Sequence, residues 1–301
     1  MPKKKQNNNY NQYEDYEEVR GKGTRKEKRR VRRHNEKKWL DEVARGNLDS
    51  ETYVDHFEEW NGDYIMITAT SLKLSKETLS ILKNFSAHNS NLLVKPGNEI
   101  NTITPAKNVV AKATVREDFP VEFGIWDLNK FLGTISLFND PEFTFDEKCV
   151  HIEGEDGAKV AYYYSEPRLL STLTKDVKMP EAVVHFSITE DNFISLQRAA
   201  SVLQLPDLCI RSNNDNEIEL VVLDKKSTTS NQFAITVGEN ETNSSFEFYL
   251  KIENIRLLAG NYDVSVSKTV VSKFSHQSTD LIYYIALEND STFSEDWLWK
   301  L

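Results

Sequence analysis

Residues 71–293 run through one order of secondary-structure signals twice, and this duplication constrains the fold more than any other feature of the chain. In the first pass, Ser75 to Phe85 reads as an amphipathic helix with Ser75 as its N-cap and Thr78, Leu79, Ile81, Leu82 and Phe85 gathered on one side. Short β-rich runs follow at 92–95, 100–104, 109–115 and 121–126, punctuated by turn signals such as Pro96-Gly97-Asn98. A brief helix over 127–132, closed by Gly133, leads to further strands, among them a hairpin turned at Asp156-Gly157 between 149–153 and 159–164. The second pass opens with a strand at 182–188 and a helix from Thr189 to about Gln204, its buried side formed by Phe193, Leu196, Ala200 and Leu203. Strands at 208–211, 218–223, 233–237 and 246–251 come next, then a second brief helix at 253–258 closed by Gly260, then strands at 262–267 and 281–287.

The two brief helices align residue by residue. Asp127 matches Glu253, Lys130 matches Arg256 and Leu132 matches Leu258, and each helix follows a strand carrying a Phe at the same distance, Phe123 and Phe248. The expectation is an α+β fold made of two similar domains, 71–168 and 181–293, joined by a linker at 169–180. On the long helices the side opposite the apolar stripe is polar: Lys76, Ser80 and Lys83 on the first, Arg198 with Ser195 and Ser201 on the second.

Charge argues against binding nucleic acid by simple attraction. The chain holds 37 basic and 47 acidic side chains, a net of −10, whereas a DNA-binding protein normally carries a basic excess. The imbalance is uneven. Residues 1–70 sum to +1, in two opposed blocks of +8 over 21–40 and −7 over 41–70, which leaves the remainder at −11. Such blocks, after the low-complexity run Gln6 to Gln12 and with few apolar residues, read as a mostly disordered extension; Val31, Trp39, Leu40 and Val43 could line one side of a single helix around 25–45. The alternative is a basic arm that touches nucleic acid or a protein partner.

Enzymatic signatures are weak. Eleven glycines form no phosphate-cradling pattern, and the six histidines, at 34, 56, 88, 151, 185 and 276, show no metal-binding spacing. Cys149 and Cys209 sit in strand-like runs as small buried hydrophobes, too few for a disulfide framework or a four-thiolate zinc site. No apolar run approaches the roughly 18 residues of a membrane span. The expectation is a soluble, unsecreted, non-catalytic protein with no cofactor and no membrane partner.

Several motifs agree with one known family. Leu72-Lys73-Leu74-Ser75-Lys76, the run Trp126 to Leu137, Leu203-Gln204-Leu205, Ala259-Gly260-Asn261-Tyr262 and Ile285 to Thr292 together resemble, in order and spacing, the sliding clamp of T-even-type tailed phages. That resemblance implies clamp-type domains with helices on one face of an antiparallel sheet, three protomers closing into a homotrimeric ring around duplex DNA. It further implies partners: the replicative DNA polymerase, for which the ring is a processivity factor, an ATP-driven clamp loader, and late transcription factors, all in the cytoplasm of the infected bacterial host. In such a ring the helices line the hole, so Lys76, Lys83, Lys130, Arg198 and Arg256 are the candidate phosphate contacts, carrying no sequence information and permitting sliding. A ring held by topology tolerates an acidic exterior, because placement on DNA then depends on the loader rather than on affinity. The alternative function is a transcription coactivator or scaffold whose N-terminal basic arm contacts RNA polymerase or nucleic acid.

Both ends depart from the family pattern. Leu72 stands where family members begin with Met, so residues 1–70 are either an appended module or an upstream extension of the reading frame. At the other end, residues 294–301 form an acidic, hydrophobic tail in which Trp297, Leu298, Trp299 and Leu301 are candidate partner-binding residues, capping or competing for a partner groove, or else packing on the last strand.

Overall fold

Alternating apolar residues in β-branched and aromatic runs make strands the dominant element, and only three segments carry the helical period together with an N-cap. The computed structural model describes residues 71–295 apart from 243 and 269. The N-terminal blocks and the candidate residues Trp297, Leu298, Trp299 and Leu301 therefore lie outside the described residues.

Three helices match the expected starts. Helix α1 (Lys76–His88) is capped by Ser75, whose side chain accepts from Thr78 N. Helix α2 (Leu128–Ile135) is capped in the same way by Asp127 and α3 (Glu190–Leu203) by Thr189. Their buried stripes are Thr78, Ile81, Leu82 and Phe85; Leu128, Phe131 and Ile135; and Phe193, Leu196 and Ala200.

The strands, numbered along the chain, form antiparallel sheets. One four-stranded sheet has the order β1 (Ser71–Lys73), β6 (Glu142–Phe145), β7 (Cys149–Glu153), β8 (Lys159–Tyr163). A second sheet has the order β12 (Phe233–Glu239), β11 (Glu217–Leu223), β10 (Asp207–Ser212), β13 (Ser245–Lys251), β17 (Thr292–Ser294). Between them in composition is a six-stranded sheet, β3 (Gly97–Ile103), β4 (Val109–Phe119), β16 (Leu281–Ala286), β15 (Val271–His276), β14 (Tyr262–Ser267), β9 (Ala182–Ile188), which takes strands from both sequence halves. The pair β2 (Leu92–Val94) and β5 (Phe123–Ile125) completes the set among the described residues. The join between halves is β4 against β16, with Tyr283 opposite Ala111. One apolar core runs through both halves, from Phe85 and Phe143 to Phe248 and Tyr283.

Three expectations are corrected, and one strand is added. Gly133 does not close the first brief helix, which runs on to Ile135; Ile135 is 5% exposed, and burying it offsets the roughly 1 kcal/mol cost of glycine in a helix. The second brief helix is only a 3-10 turn over Ile252–Asn254. Unlike Asp127, no side chain caps its start, and its next carbonyls are taken by other segments, as described below. Leu203 is exposed rather than buried, because Gln204 turns the chain with a φ of 56° and Leu205, bonded to Ala200 O, enters the core in its place. Finally β15 was not evident from sequence, since its alternation places a serine, Ser272, at a fully buried position.

Candidate nucleic-acid interface

The five candidate cations occupy four segments: Lys76 and Lys83 on α1, Lys130 on α2, Arg198 on α3, and Arg256 after the 3-10 turn. All five are exposed. Their segments adjoin in series. Helix α1 packs against α2. At the C-terminal end of α1, Asn84 Nδ2 donates to Arg256 O at 2.9 Å and His88 Nε2 meets the same oxygen at 2.9 Å. Arg256 answers by donating from Nη1 to Ala87 O at 2.7 Å. On its other side the same loop accepts from α3, with Gln197 Nε2 donating to Ile255 O at 3.1 Å. The order α2, α1, residues 252–258, α3 is thus a connected run of elements in which sequence positions 168 to 172 residues apart touch.

The cations differ in what they are free to do. Among the described residues Lys76, Lys83 and Arg198 make no ion pair. Lys130 sits 3.3 Å from Asp127, an exposed pair of small energetic weight. Arg256 is the most committed: its guanidinium also donates to Glu253 O at 2.9 Å, so it caps the last turn of α1, where a cation opposes the helix dipole. Acidic side chains on these segments stand at helix starts, Glu77 on α1 and Glu190 and Asp191 on α3, where the dipole favours them. Asn84, His88 and Gln197, which join the segments, were missed from sequence. The signal was there for two of them: Asn84 and His88, four residues apart, flank the buried Phe85 on one side of α1.

Burial lowers the pKa of His88, with Arg256 close by, so the ring is neutral and its contact with the Arg256 carbonyl does not depend on charge near neutral pH. The other described histidines are dispersed: His185 bonds Ser265, and His276 bonds Ala259 O. Only His151 lies with other potential metal ligands among the described residues.

Comparison with known proteins follows the same length of chain. Residues 185–289 match the family described as gp45 sliding clamp, C terminal. The chain is 29% identical over 221 residues to the sliding clamp of Vibrio phage KVP40, covering 72% of this chain and 99% of that clamp. It is 27% identical over 232 residues to the sliding clamp of Enterobacteria phage T4, covering 73% and 99%. The chain resembles the sliding clamps of T-even-type phages.

Its fold is similar to that of solved proliferating cellular nuclear antigens. The proliferating cellular nuclear antigen of Entamoeba histolytica superposes with a TM-score of 0.56 at 11% identity, over 73% of this chain and 99% of that one. The corresponding antigen of Thermococcus kodakaraensis gives 0.56 at 10% identity, over 72% and 99%. The clamp-like part thus accounts for nearly the full length of each relative. None of the described helices is long and apolar enough to cross a membrane.

Proposed function

We propose that the chain is a sliding clamp of phage DNA replication: three copies close into a ring around duplex DNA and tether the replicative polymerase. In this reading 71–168 and 181–293 are the two repeated units of each protomer, with 169–180 between them. The observation that carries it is the connected run of helical segments bearing Lys76, Lys83, Lys130, Arg198 and Arg256 in a fold that spans whole clamps. Exposed cations facing a duplex would meet phosphates, giving interchangeable contacts that hold no register.

Two free sheet edges support ring closure. Strands β8 and β12 each pair on one side only among the described residues, and they end different sheets. Joining β8 of one copy to β12 of the next is a head-to-tail contact, the kind that generates rings when the rotation closes. The remaining surface, strongly acidic, would repel DNA, so entry of DNA into the ring would need an ATP-driven loader. Late-transcription partners enter by resemblance to the same clamps. The opposed charge blocks at 21–40 and 41–70 favour, as a second reading, an arm that contacts RNA polymerase or nucleic acid.

Light scattering of the full chain is expected to give three times 34.7 kDa. Loaded by a clamp loader, the protein should stay on closed circular DNA and leave after the circle is cut. A monomer at working concentration, or tight loading onto closed circles without a loader, would overturn the reading.

A further inference from the structure

One cluster on the four-stranded sheet is unused by the clamp reading. The turn between β6 and β7 is closed by Asp146 N donating to Cys149 O at 2.9 Å, which brings the Asp146 carboxylate back over the first residues of β7. Cys149 and His151, two apart on β7, project from the same face of the sheet. Cys149 Sγ lies 3.5 Å from His151 Nε2, and Asp146 Oδ2 lies 4.0 Å from that same nitrogen. All three donor atoms fall within 4.8 Å of one another, and among the described residues no other such group occurs.

We propose that Asp146, Cys149 and His151 bind one borderline divalent transition-metal ion, Zn2+ by preference. The donor set is one sulfur, one imidazole nitrogen and one carboxylate oxygen, a mixture that suits zinc and leaves a fourth position for water. The distances agree: with metal–sulfur near 2.3 Å and metal–nitrogen near 2.0 Å, tetrahedral geometry separates the two ligands by about 3.5 Å. The carboxylate stands 4.0 Å from that nitrogen and closes on the same shell by rotation of the exposed Asp146 side chain. Access is one-sided, since Asp146 and His151 are exposed while Cys149 is only 6% exposed. Because the thiol binds as thiolate, the ion would displace a proton on binding and hold more weakly as pH falls.

The site lies on the strand next to the free edge. His151 stands opposite Ala161 and Cys149 opposite Tyr163, both on the free strand β8.

Titrating the reduced full-length protein with Co2+ should develop a thiolate-to-metal charge-transfer band that saturates at one equivalent, and Zn2+ should abolish it. Cys149→Ser should remove the band, whereas Cys209→Ser should leave it. His151→Ala and Asp146→Asn, both at exposed positions, should each weaken Zn2+ binding at least about tenfold against a chromogenic chelator, whether or not the buried Cys149→Ser variant folds. Absence of the band, or affinity unchanged in His151→Ala, overturns the proposal. Because none of these readouts requires DNA or a ring, their failure is distinguishable from failure of the clamp reading.

Discussion

Glu117 occupies the inward side of β4, in line with Val115 and Phe119, a place where a carboxylate needs compensation. It receives it from the start of α1: Ser75 N and Thr78 Oγ1 both donate to its carboxylate. Burial pushes its pKa up, but these hydrogen bonds outweigh burial and hold it below the ordinary carboxyl value. A lowered folded pKa means the stabilisation is present above the unfolded value and is lost as pH falls through the folded one. Glu117→Gln should therefore lower the unfolding free energy by about 1–3 kcal/mol at neutral pH. In urea unfolding, the gap between variant and parent should shrink below pH 4.5, the carboxyl's ordinary value. A constant gap would show that the charge is not what α1 uses. Gly260 is a second residue with a definite reason. It takes a φ of +142°, and a Cβ there would fall 2.2 Å from His276 Nε2, whose ring is already held by Ala259 O.

At the scale of elements, the contrast between the two brief helices shows what a cap decides. Asp127 accepts from Lys130 N and a helix of eight residues follows; the aligned segment after β13 lacks such a group and stops as one turn. The free edge of β8 allows a sharper test. Tyr164 N donates to Lys148 O and Gly154 N to Ala158 O, so even-numbered residues of this hairpin bond inward and Ala161 N–H points to the open side. Proline at an outward-pointing edge position spares the hairpin ladder and removes only the outward donor. Ala161→Pro is expected to keep the native circular-dichroism spectrum and to shift the light-scattering mass from three chains to one. An unchanged assembly would exclude β8 as the ring joint.

For the whole molecule, the distribution of charge matters more than its sum. In the proposed ring, three protomers' worth of acidic exterior and a small set of cations on the helical segments call for weak, renewable phosphate contacts instead of tight binding. Lys76→Glu, Lys83→Glu and Arg198→Glu together should leave the assembled mass unchanged while shortening the tracts that a clamp-dependent polymerase copies. The loss should deepen as salt is lowered, because reversed charges repel phosphates more strongly when screening weakens. Unaltered tract lengths across the salt range would remove these three residues from the DNA-facing surface. Arg256 is left out of that set because its guanidinium holds α1 and its loss would confound packing with charge.

Sequence alone determined the helices and most strands, because caps and apolar periods are local: Ser75, Asp127 and Thr189 each start a helix where they stand. It also carried the resemblance, through motifs from Leu72 to Thr292. What only the tertiary structure decided is how residues far apart compete for the same partners. The carbonyls of Ile255 and Arg256 went to Gln197, Asn84 and His88, so an expected helix did not form. β15 found its place between β14 and β16 through backbone pairing, with no clean apolar alternation to announce it. Asp146, Cys149 and His151 became a cluster only when a turn folded one back on the others. A chain's own neighbours write its local periods, while hydrogen-bond partners a hundred residues away are chosen only once a common core brings them within reach.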